Sequence, residues 1–145
     1  LWNARAEILK RKKKYAINIS FSERITDETM LVVFGSEMLL KTAISNLIDN
    51  ACKYSLNNKS DIILDADGTH IQLHFIDSGI GIPPEDLKTI FEPFYRSKNS
   101  IGVKGHGIGL SLVEKIIKQH KGNIQVTSKI DIGSEFTITL PIFRQ

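Results

Sequence analysis

The sequence predicts an α/β fold: a two-layer sandwich in which about three helices cover one face of a mixed, mostly antiparallel sheet. Segments that repeat apolar residues at helical spacing are interleaved with segments that alternate apolar and polar residues as half-buried strands do. Helices and strand pairs are therefore mixed along the chain rather than gathered into separate blocks. The length of 145 residues suits one domain with a sizeable core.

The first part of the chain predicts two helices and two strands. Residues 1–15 have a helical pattern, and "AINIS" at 16–20 alternates as a strand. The β-branched run "TMLVVFG" at 29–35 predicts a second strand. Ser36 is predicted to cap the N-terminus of a long helix. Its apolar stripe consists of Leu40, Ala43, Ile44, Leu47, Ile48 and Ala51.

The second part predicts two hairpins with helices between them. Residues 60–79 indicate a strand pair around Asp67-Gly68, a strong hairpin signal. "PPEDLKTIF" at 83–91 predicts a short helix, since proline suits a first helical turn. Residues 92–107 lack periodicity and predict a mobile loop. "LSLVEKIIKQHKG" predicts a helix closed by Gly122, and a last hairpin fills residues 123–142.

Composition argues for a globular chain and against several function classes. The net charge is +3, much of it from "KRKKK" at 10–14, which we interpret as a solvated helix end rather than a nucleic-acid or membrane patch. No nucleic-acid-binding motif accompanies it. The single Cys52 rules out an internal disulfide and is predicted to be a small buried filler. The chain begins at Leu1 without a methionine, which suggests a fragment of a longer protein.

A second stripe on the long helix carries groups suited to a ligand. Asn46, Asn50, Lys53 and Tyr54 fall beside the apolar stripe rather than opposite it. An asparagine offers an uncharged oxygen to a hard cation, a lysine offers a charge to phosphate, and a tyrosine ring offers a stacking surface. The stripe predicts one wall of a binding pocket, and an ordinary polar surface edge is the alternative.

The motif "IDSGIGIP" at 76–83 adds a carboxylate and two glycines after a strand. Gly79 and Gly81 let the backbone approach a flat ligand, and Asp77 could accept hydrogen bonds from an exocyclic amine such as that of adenine. The alternative is a tight turn. The motif is not the dinucleotide fingerprint, because no third glycine opens a helix.

Glycines 105, 107 and 109 in "GHGIGL" run directly into a predicted helix. Free backbone N–H groups at a helix N-terminus are suited to phosphate. The segment lacks the Gly-Lys-Ser/Thr of a Walker P-loop, which disfavours that class of NTPase. A flexible linker would explain the glycines but not their alternation.

Taken in order, these segments resemble the catalytic, ATP-binding domain of sensor histidine kinases, which has the Bergerat fold of the superfamily that includes gyrase, the ninety-kilodalton heat-shock chaperone and mismatch-repair ATPases. "NLIDNACKYS" resembles the N box, and "DSGIGIP" and "GHGIGL" resemble the two glycine boxes. "FEPFYR" resembles the F box and "GSEFTITLP" the closing motif. The resemblance spans residues 6–142.

The resemblance implies roles along the long helix. Asn50 would be the Mg²⁺ ligand and Asn46 would support it near the phosphates. Lys53 would reach the phosphates, and Tyr54 would lie against the adenine. Asn46 and Arg96 would be the residues closest to catalysis, with Arg96 on the γ-phosphate.

The resemblance also implies a base pocket and a lid. Asp77 would accept from the adenine amine between Gly79 and Gly81, with Ser134 nearby. Residues 92–107 would form a lid, in which Lys104 is a further candidate by charge alone. The remaining nucleotide-binding positions are Ile82, Gly105, His106, Gly107, Gly109 and Leu110.

Asn46 bears on the branch of the superfamily. The gyrase-like branch has a water-activating glutamate at this helix position, whereas an asparagine cannot act as a general base near neutral pH. This favours a kinase that protects ATP until a protein nucleophile arrives. The alternatives are a gyrase- or chaperone-like ATPase, a regulatory module that binds nucleotide without transferring phosphate, and a serine kinase.

None of the four histidines has the context of a phosphoacceptor, which would precede an acidic residue in a two-helix dimerisation segment. His70, His74, His106 and His120 are interpreted as structural or solvent-facing. The resemblance thus implies a junction helix at 1–14, an ATP-binding domain at 15–145, and a phosphoacceptor domain elsewhere. It further implies a response regulator as partner, no nucleic acid, a monomeric isolated domain, and a cytoplasmic location in a membrane-anchored kinase.

Overall fold

The computed structural model describes residues 1–27 and 31–144 and contains one five-stranded mixed sheet with three helices. The helices are α1 (Trp2–Arg11), α2 (Glu37–Tyr54) and α3 (Gly109–Gln119). The strands are β1 (Ala16–Phe21), β2 (Lys59–Ala66), β3 (His70–Asp77), β4 (Asn123–Lys129) and β5 (Gly133–Pro141). Single 3₁₀ turns lie at Pro84–Asp86 and Lys98–Ser100.

The sheet has the strand order β1-β2-β3-β5-β4. The β1–β2 pair is parallel and the other three pairs are antiparallel. Both predicted hairpins are present as β2–β3 and β4–β5, so the predicted fold class is confirmed. Because β3 and β5 are central, their inward side chains are buried on the helical face, including Phe75 and Ile138 with 0% exposure.

Helix α2 is the central element of the helical layer. The Ser36 hydroxyl accepts from the backbone N–H of Leu39 at 3.4 Å, as the sequence predicts for an N-cap. The predicted stripe from Ala43 to Ala51 is buried, and Leu40 is half-buried at its start. Cys52 extends the stripe at 0% exposure, and burial raises the pKa of its thiol to about 12. It is a packing residue, as predicted, because a buried neutral thiol is a poor nucleophile.

The predicted strand at 29–35 is wrong for the residues described. Residues 31–35 are not a strand, while Thr29 and Met30 lie outside the described residues. A hydrogen bond from Phe143 N–H to the Val32 carbonyl links this segment to the end of the chain. Phe34 is 80% exposed. The prediction failed because a β-branched and aromatic composition gives a strand only where a neighbouring strand supplies a hydrogen-bond ladder.

The predicted helix at 83–91 is shorter than expected. Only Pro84–Asp86 forms a 3₁₀ turn, and the following residues continue as hydrogen-bonded turns in which Thr89 and Ile90 donate to the Asp86 carbonyl. The loop at 92–107 lacks regular structure apart from the Lys98–Ser100 turn, in agreement with the predicted loop.

Three of the four histidines lie at a helix end or on the sheet. His120 is buried at the end of α3, where Nε2 accepts from the Ser36 N–H at 3.0 Å and Nδ1 lies 2.7 Å from the Ile116 carbonyl. His74 pairs with Glu135 on the outer sheet face at 2.7 Å, and His70 is exposed at the start of β3. These three residues are structural or solvent-facing, as predicted.

Candidate nucleotide-binding site

The C-terminal ends of α2 and β3 and the N-terminus of α3 meet around a cavity of about 350 Å³. The 92–107 loop closes one side of it. Fourteen of the predicted site residues line the cavity: Asn46, Asn50, Lys53, Tyr54, Asp77, Gly81, Ile82, Arg96, Gly105, His106, Gly107, Gly109, Leu110 and Ser134. Segments that are far apart in the chain therefore form one site.

Helix α2 supplies one wall. Asn46 donates from Nδ2 to the Thr42 carbonyl at 3.0 Å, which leaves its amide oxygen directed across the cavity. Lys53 lies with its ammonium 5.3 Å from the centre of the Tyr54 ring, and burial lowers the pKa of this lysine. Asn50 completes the wall; it is half-buried and offers an uncharged amide oxygen.

Asp77 ends β3 and lines the cavity. It is 7% exposed, and its Oδ1 atom is buried without a hydrogen-bond partner. Burial raises the pKa of this carboxyl to about 6, and the nearby backbone N–H groups of Gly79 and Ser134 oppose the rise. An unpaired buried acceptor is costly, so this oxygen is suited to a ligand that brings a donor.

Gly79 does not line the cavity, but it contacts the backbone next to two residues that do, Tyr54 and Asp77. It forms an isolated β-bridge with Ser55, just after α2. A Cβ atom at Gly79 would collide with the Tyr54 carbonyl and would lie 2.8 Å from Asp77 Oδ1. The glycine therefore permits β3 and α2 to approach closely enough to share the pocket.

Ser128 was not among the predicted residues, yet it supports the end of the cavity where Asp77 and Ser134 lie. Its hydroxyl accepts from the Ile82 N–H at 2.8 Å and donates to the Gly133 carbonyl at 2.9 Å. It also lies 2.8 Å from the Ser134 hydroxyl. Its position in β4 gave no local signal, because the contact depends on how the β4–β5 hairpin meets the glycine segment.

The glycine-rich segment lies at the opposite end of the cavity. A Cβ atom at Gly105 would lie 2.7 Å from Lys53 Nζ, and one at Gly109 would lie 3.0 Å from Asn46 Oδ1. Gly107 has φ of +72° and packs against the backbone of Tyr95. Helix α3 then begins at Gly109, and no side chain caps its first N–H groups.

Arg96 lines the cavity, but its guanidinium is bonded to the loop itself. It donates to the Ser100 carbonyl at 3.2 Å and to the Val103 carbonyl. Lys104, by contrast, is exposed and does not line the cavity. The loop thus folds around Arg96 rather than around Lys104.

Asp49 is a cavity residue that the sequence reasoning missed. It precedes Asn50, and its Oδ1 accepts from the Tyr15 hydroxyl at 3.0 Å. Its spacing of three residues from Asn46 was a usable signal, since such positions share a helix face. Within 1–27 and 31–144, no group of three or more His, Cys, Asp or Glu side chains could hold a metal by itself.

The sequence pattern of most of the chain matches a known family. The sequence model of the "Histidine kinase-, DNA gyrase B-, and HSP90-like ATPase" family aligns with residues 35–144, which include every element around the cavity. The chain belongs to this ATPase family. Within it, the matched relatives are sensor kinases, and the chain corresponds to the ATP-binding catalytic domain of the histidine kinases.

The relatives of this histidine kinase domain are longer proteins. Sensor protein RprX of Bacteroides fragilis is 39% identical over 81% of the chain and 24% of its own length. Sensor-like histidine kinase SenX3 of Mycobacterium tuberculosis is 37% identical over 94% of the chain and 34% of its own length. The chain therefore spans about a quarter to a third of these relatives.

Solved structures agree with the fold of the domain. Mycobacterial sensor histidine kinase MprB superposes with a TM-score of 0.80 at 26% identity, over 96% of this chain and 91% of that one. The nucleotide-free catalytic domain of histidine kinase ThkA gives 0.78 at 26% identity, over 97% and 90%. Among the described residues, none of the helices is long and apolar enough to cross a membrane.

Proposed function

We propose that this domain binds ATP with Mg²⁺ and presents the γ-phosphate to a histidine on a separate phosphoacceptor domain, for relay to a response regulator. The observation that carries the proposal is the pairing of a buried, unpartnered Asp77 oxygen at one end of the cavity with glycines and an uncapped helix N-terminus at the other. An adenine amine and a triphosphate have the matching chemistry at the two ends.

In this proposal Asp77 recognises the base. Its unpaired oxygen accepts a hydrogen bond from the adenine amine, while Gly81 and Ile82 bound the ring and Ser134 lies beside it. A guanine would present a carbonyl oxygen at the equivalent position and would meet the carboxylate with repulsion. Tyr54 provides a ring surface at the same wall.

The opposite end binds the phosphates. Lys53 and the N-terminus of α3 supply positive charge, and the absence of side chains at the glycines admits the phosphate oxygens. Gly105, His106, Gly107, Gly109 and Leu110 contribute this part of the wall. Catalysis then rests on holding the γ-phosphate in position and compensating its charge, with Arg96 as the cation at the loop side.

The residues present fit a magnesium ion. Mg²⁺ in nucleotide sites is bound by few protein oxygens together with phosphate oxygens, so an acidic cluster is not required. Asn50 would hold the ion through its amide oxygen, with Asn46 in support one helical turn away. The ion would neutralise charge on the phosphates when bound.

The nature of position 46 supports a kinase rather than a hydrolase. Of the described residues around the cavity, the two carboxylates are Asp49 and Asp77. Asp77 lies at the base end, and Asp49 is held by the Tyr15 hydroxyl. Asn46 itself cannot accept a proton from water. Because this helix position carries no base that could activate water, we expect ATP to persist in the site until an external nucleophile reaches it.

The nucleophile would come from another domain. Of the chain's histidines, His106 lines the cavity and the other three are paired, exposed or buried elsewhere. Residues 1–14 would be the junction to that domain, and residues 15–145 the ATP-binding domain. In this proposal the isolated domain is a monomer with no role in nucleic-acid binding, and the parent is a membrane-anchored kinase with this domain in the cytoplasm.

The direct test mixes the domain with ATP, Mg²⁺ and the dimerisation domain of the same parent. The proposal expects acid-labile, alkali-stable phosphate on the added domain, dependent on Mg²⁺. Steady-state phosphate release by the isolated domain would instead favour a gyrase-like ATPase. Nucleotide binding by calorimetry without transfer to the folded acceptor would favour a regulatory module.

A further inference from the structure

Asp86 is a buried carboxylate outside the nucleotide cavity. It ends the 3₁₀ turn Pro84–Asp86, is 8% exposed, and does not line the cavity. Buried aspartates are uncommon unless their oxygens are bonded, so the partners of this one indicate what it does.

The two carboxylate oxygens of Asp86 bind two different residues of the 92–107 loop. Oδ1 accepts from the Tyr95 hydroxyl at 2.5 Å, and Oδ2 accepts from the Ser97 hydroxyl. These hydrogen bonds, first that of Ser97 and then that of Tyr95, lower the pKa of Asp86. The two partners are the residues immediately before and after Arg96.

Further contacts continue the attachment into the loop. The Ser97 hydroxyl also lies 2.7 Å from Asn99 Oδ1, and Asn99 Nδ2 donates to the Gly81 carbonyl at 2.9 Å. The Ser100 hydroxyl donates to the Ser97 carbonyl at 2.6 Å. The first half of the loop is thereby fixed to the glycine segment of the base pocket.

We propose that Asp86 is a positioning residue, which holds the backbone on both sides of Arg96 so that the guanidinium stays at the phosphate end of the cavity. The role for Arg96 rests on the proposed function, in which it contacts the γ-phosphate. Fixing both flanking residues lowers the conformational freedom that Arg96 must lose when a phosphate binds.

The guanidinium of Arg96 is itself bonded within the attached part of the loop. Its guanidinium donates to the carbonyls of Ser100 and Val103, in the same stretch that Asp86 and Asn99 attach. A γ-phosphate would compete with those carbonyls for a cation that is already in place. Through Tyr95 and Ser97, Asp86 thus makes γ-phosphate binding by Arg96 depend on a loop that is held in one conformation.

The first experiment tests, in the absence of nucleotide, whether Asp86 holds the loop in place. Asp86→Asn keeps the size of the side chain but removes the charge and one acceptor, and Glu85→Gln makes the same charge change at the exposed neighbour. We expect amide hydrogen exchange at residues 97–103 to be about 3- to 10-fold faster in Asp86→Asn, with residues 70–77 unchanged. If exchange in Asp86→Asn equals that of wild type and Glu85→Gln, Asp86 does not hold the loop.

The second experiment compares ATP with ADP by calorimetry. We expect the ATP-over-ADP preference of wild type to fall about 3- to 10-fold in Asp86→Asn, with ADP affinity retained and Glu85→Gln like wild type. Equal losses for both nucleotides, as a general structural defect would give, would overturn the role. If Asp86→Asn does not fold, Ser97→Ala can replace it, because it removes one of the two hydrogen-bond donors to Asp86. We expect it to lower ATP affinity relative to ADP affinity in the same way, but by less.

The two readouts separate the inference from the proposed function. A wild-type domain that binds ATP and ADP equally would refute the γ-phosphate contact of Arg96, and with it the positioning role. Unchanged exchange in Asp86→Asn alongside a normal ATP preference would refute Asp86 alone.

Discussion

Replacing Asp77 by asparagine should stabilise the nucleotide-free domain while impairing its binding of ATP. The carboxyl has a pKa of about 6 in the fold, raised from 3.8 chiefly by burial. A raised pKa means that the folded state disfavours the ionised form, so the cost is absent below pH 3.8 and is complete above about pH 6. Asparagine has nearly the same shape and removes the charge.

The size of the effect follows from the shift. About two pKa units correspond to about 3 kcal/mol, and solvent in the open cavity reduces this, so we expect Asp77→Asn to gain about 1 to 2 kcal/mol at pH 8. The gain should fall toward zero near pH 4. For ATP, the amide would turn a donor toward the adenine amine, and we expect about 30-fold weaker binding.

Urea unfolding of both proteins between pH 4 and pH 8, with calorimetry of ATP at pH 8, measures both effects. Using the difference between the two proteins removes the contributions of other titrating groups. The reasoning would be refuted if the variant were less stable than wild type at pH 8, or if the difference did not change with pH. Unchanged ATP affinity would remove Asp77 from the base site.

Three further substitutions test separate parts of the site. Asn50→Ala should lower ATP affinity at least about tenfold with Mg²⁺ and much less in EDTA, while the unfolding free energy changes by under about 1 kcal/mol. An equal loss of affinity in both conditions would contradict the metal assignment. Gly81→Ala should destabilise the domain by about 2 to 4 kcal/mol in thermal or urea unfolding, because φ is +69° and the new Cβ would meet the Lys129 backbone; wild-type stability would contradict this. Gly105→Ala should leave stability within about 1 kcal/mol, since its Cβ would meet only the mobile end of Lys53, but weaken ATP several-fold by calorimetry; unchanged affinity would argue against a phosphate role for this glycine.

Local patterns were sufficient for most of the elements. The cap at Ser36, the buried stripe of α2 and the hairpin at Asp67-Gly68 depend on neighbours within a few residues, so their signals are complete in the sequence. The segment at 31–35 was mispredicted because a strand requires a hydrogen-bond partner from elsewhere in the chain. The turn at Pro84–Asp86 is shorter than predicted, and the Asp86 side chain bonds to Tyr95 and Ser97, contacts that no local pattern indicates.

The sequence by itself identified most of the side chains that line the cavity, because side-chain type and helical or turn spacing are local properties. Asn46, Asn50 and the alternating glycines were identifiable in this way. Tertiary structure decided what each group experiences. The burial that raises the pKa of Asp77 exists only where β3 packs against α2, and the carbonyls that bind Arg96 exist only where the loop folds back on itself. Burial and nonlocal hydrogen bonds depend on the whole chain, and no short stretch of sequence encodes them.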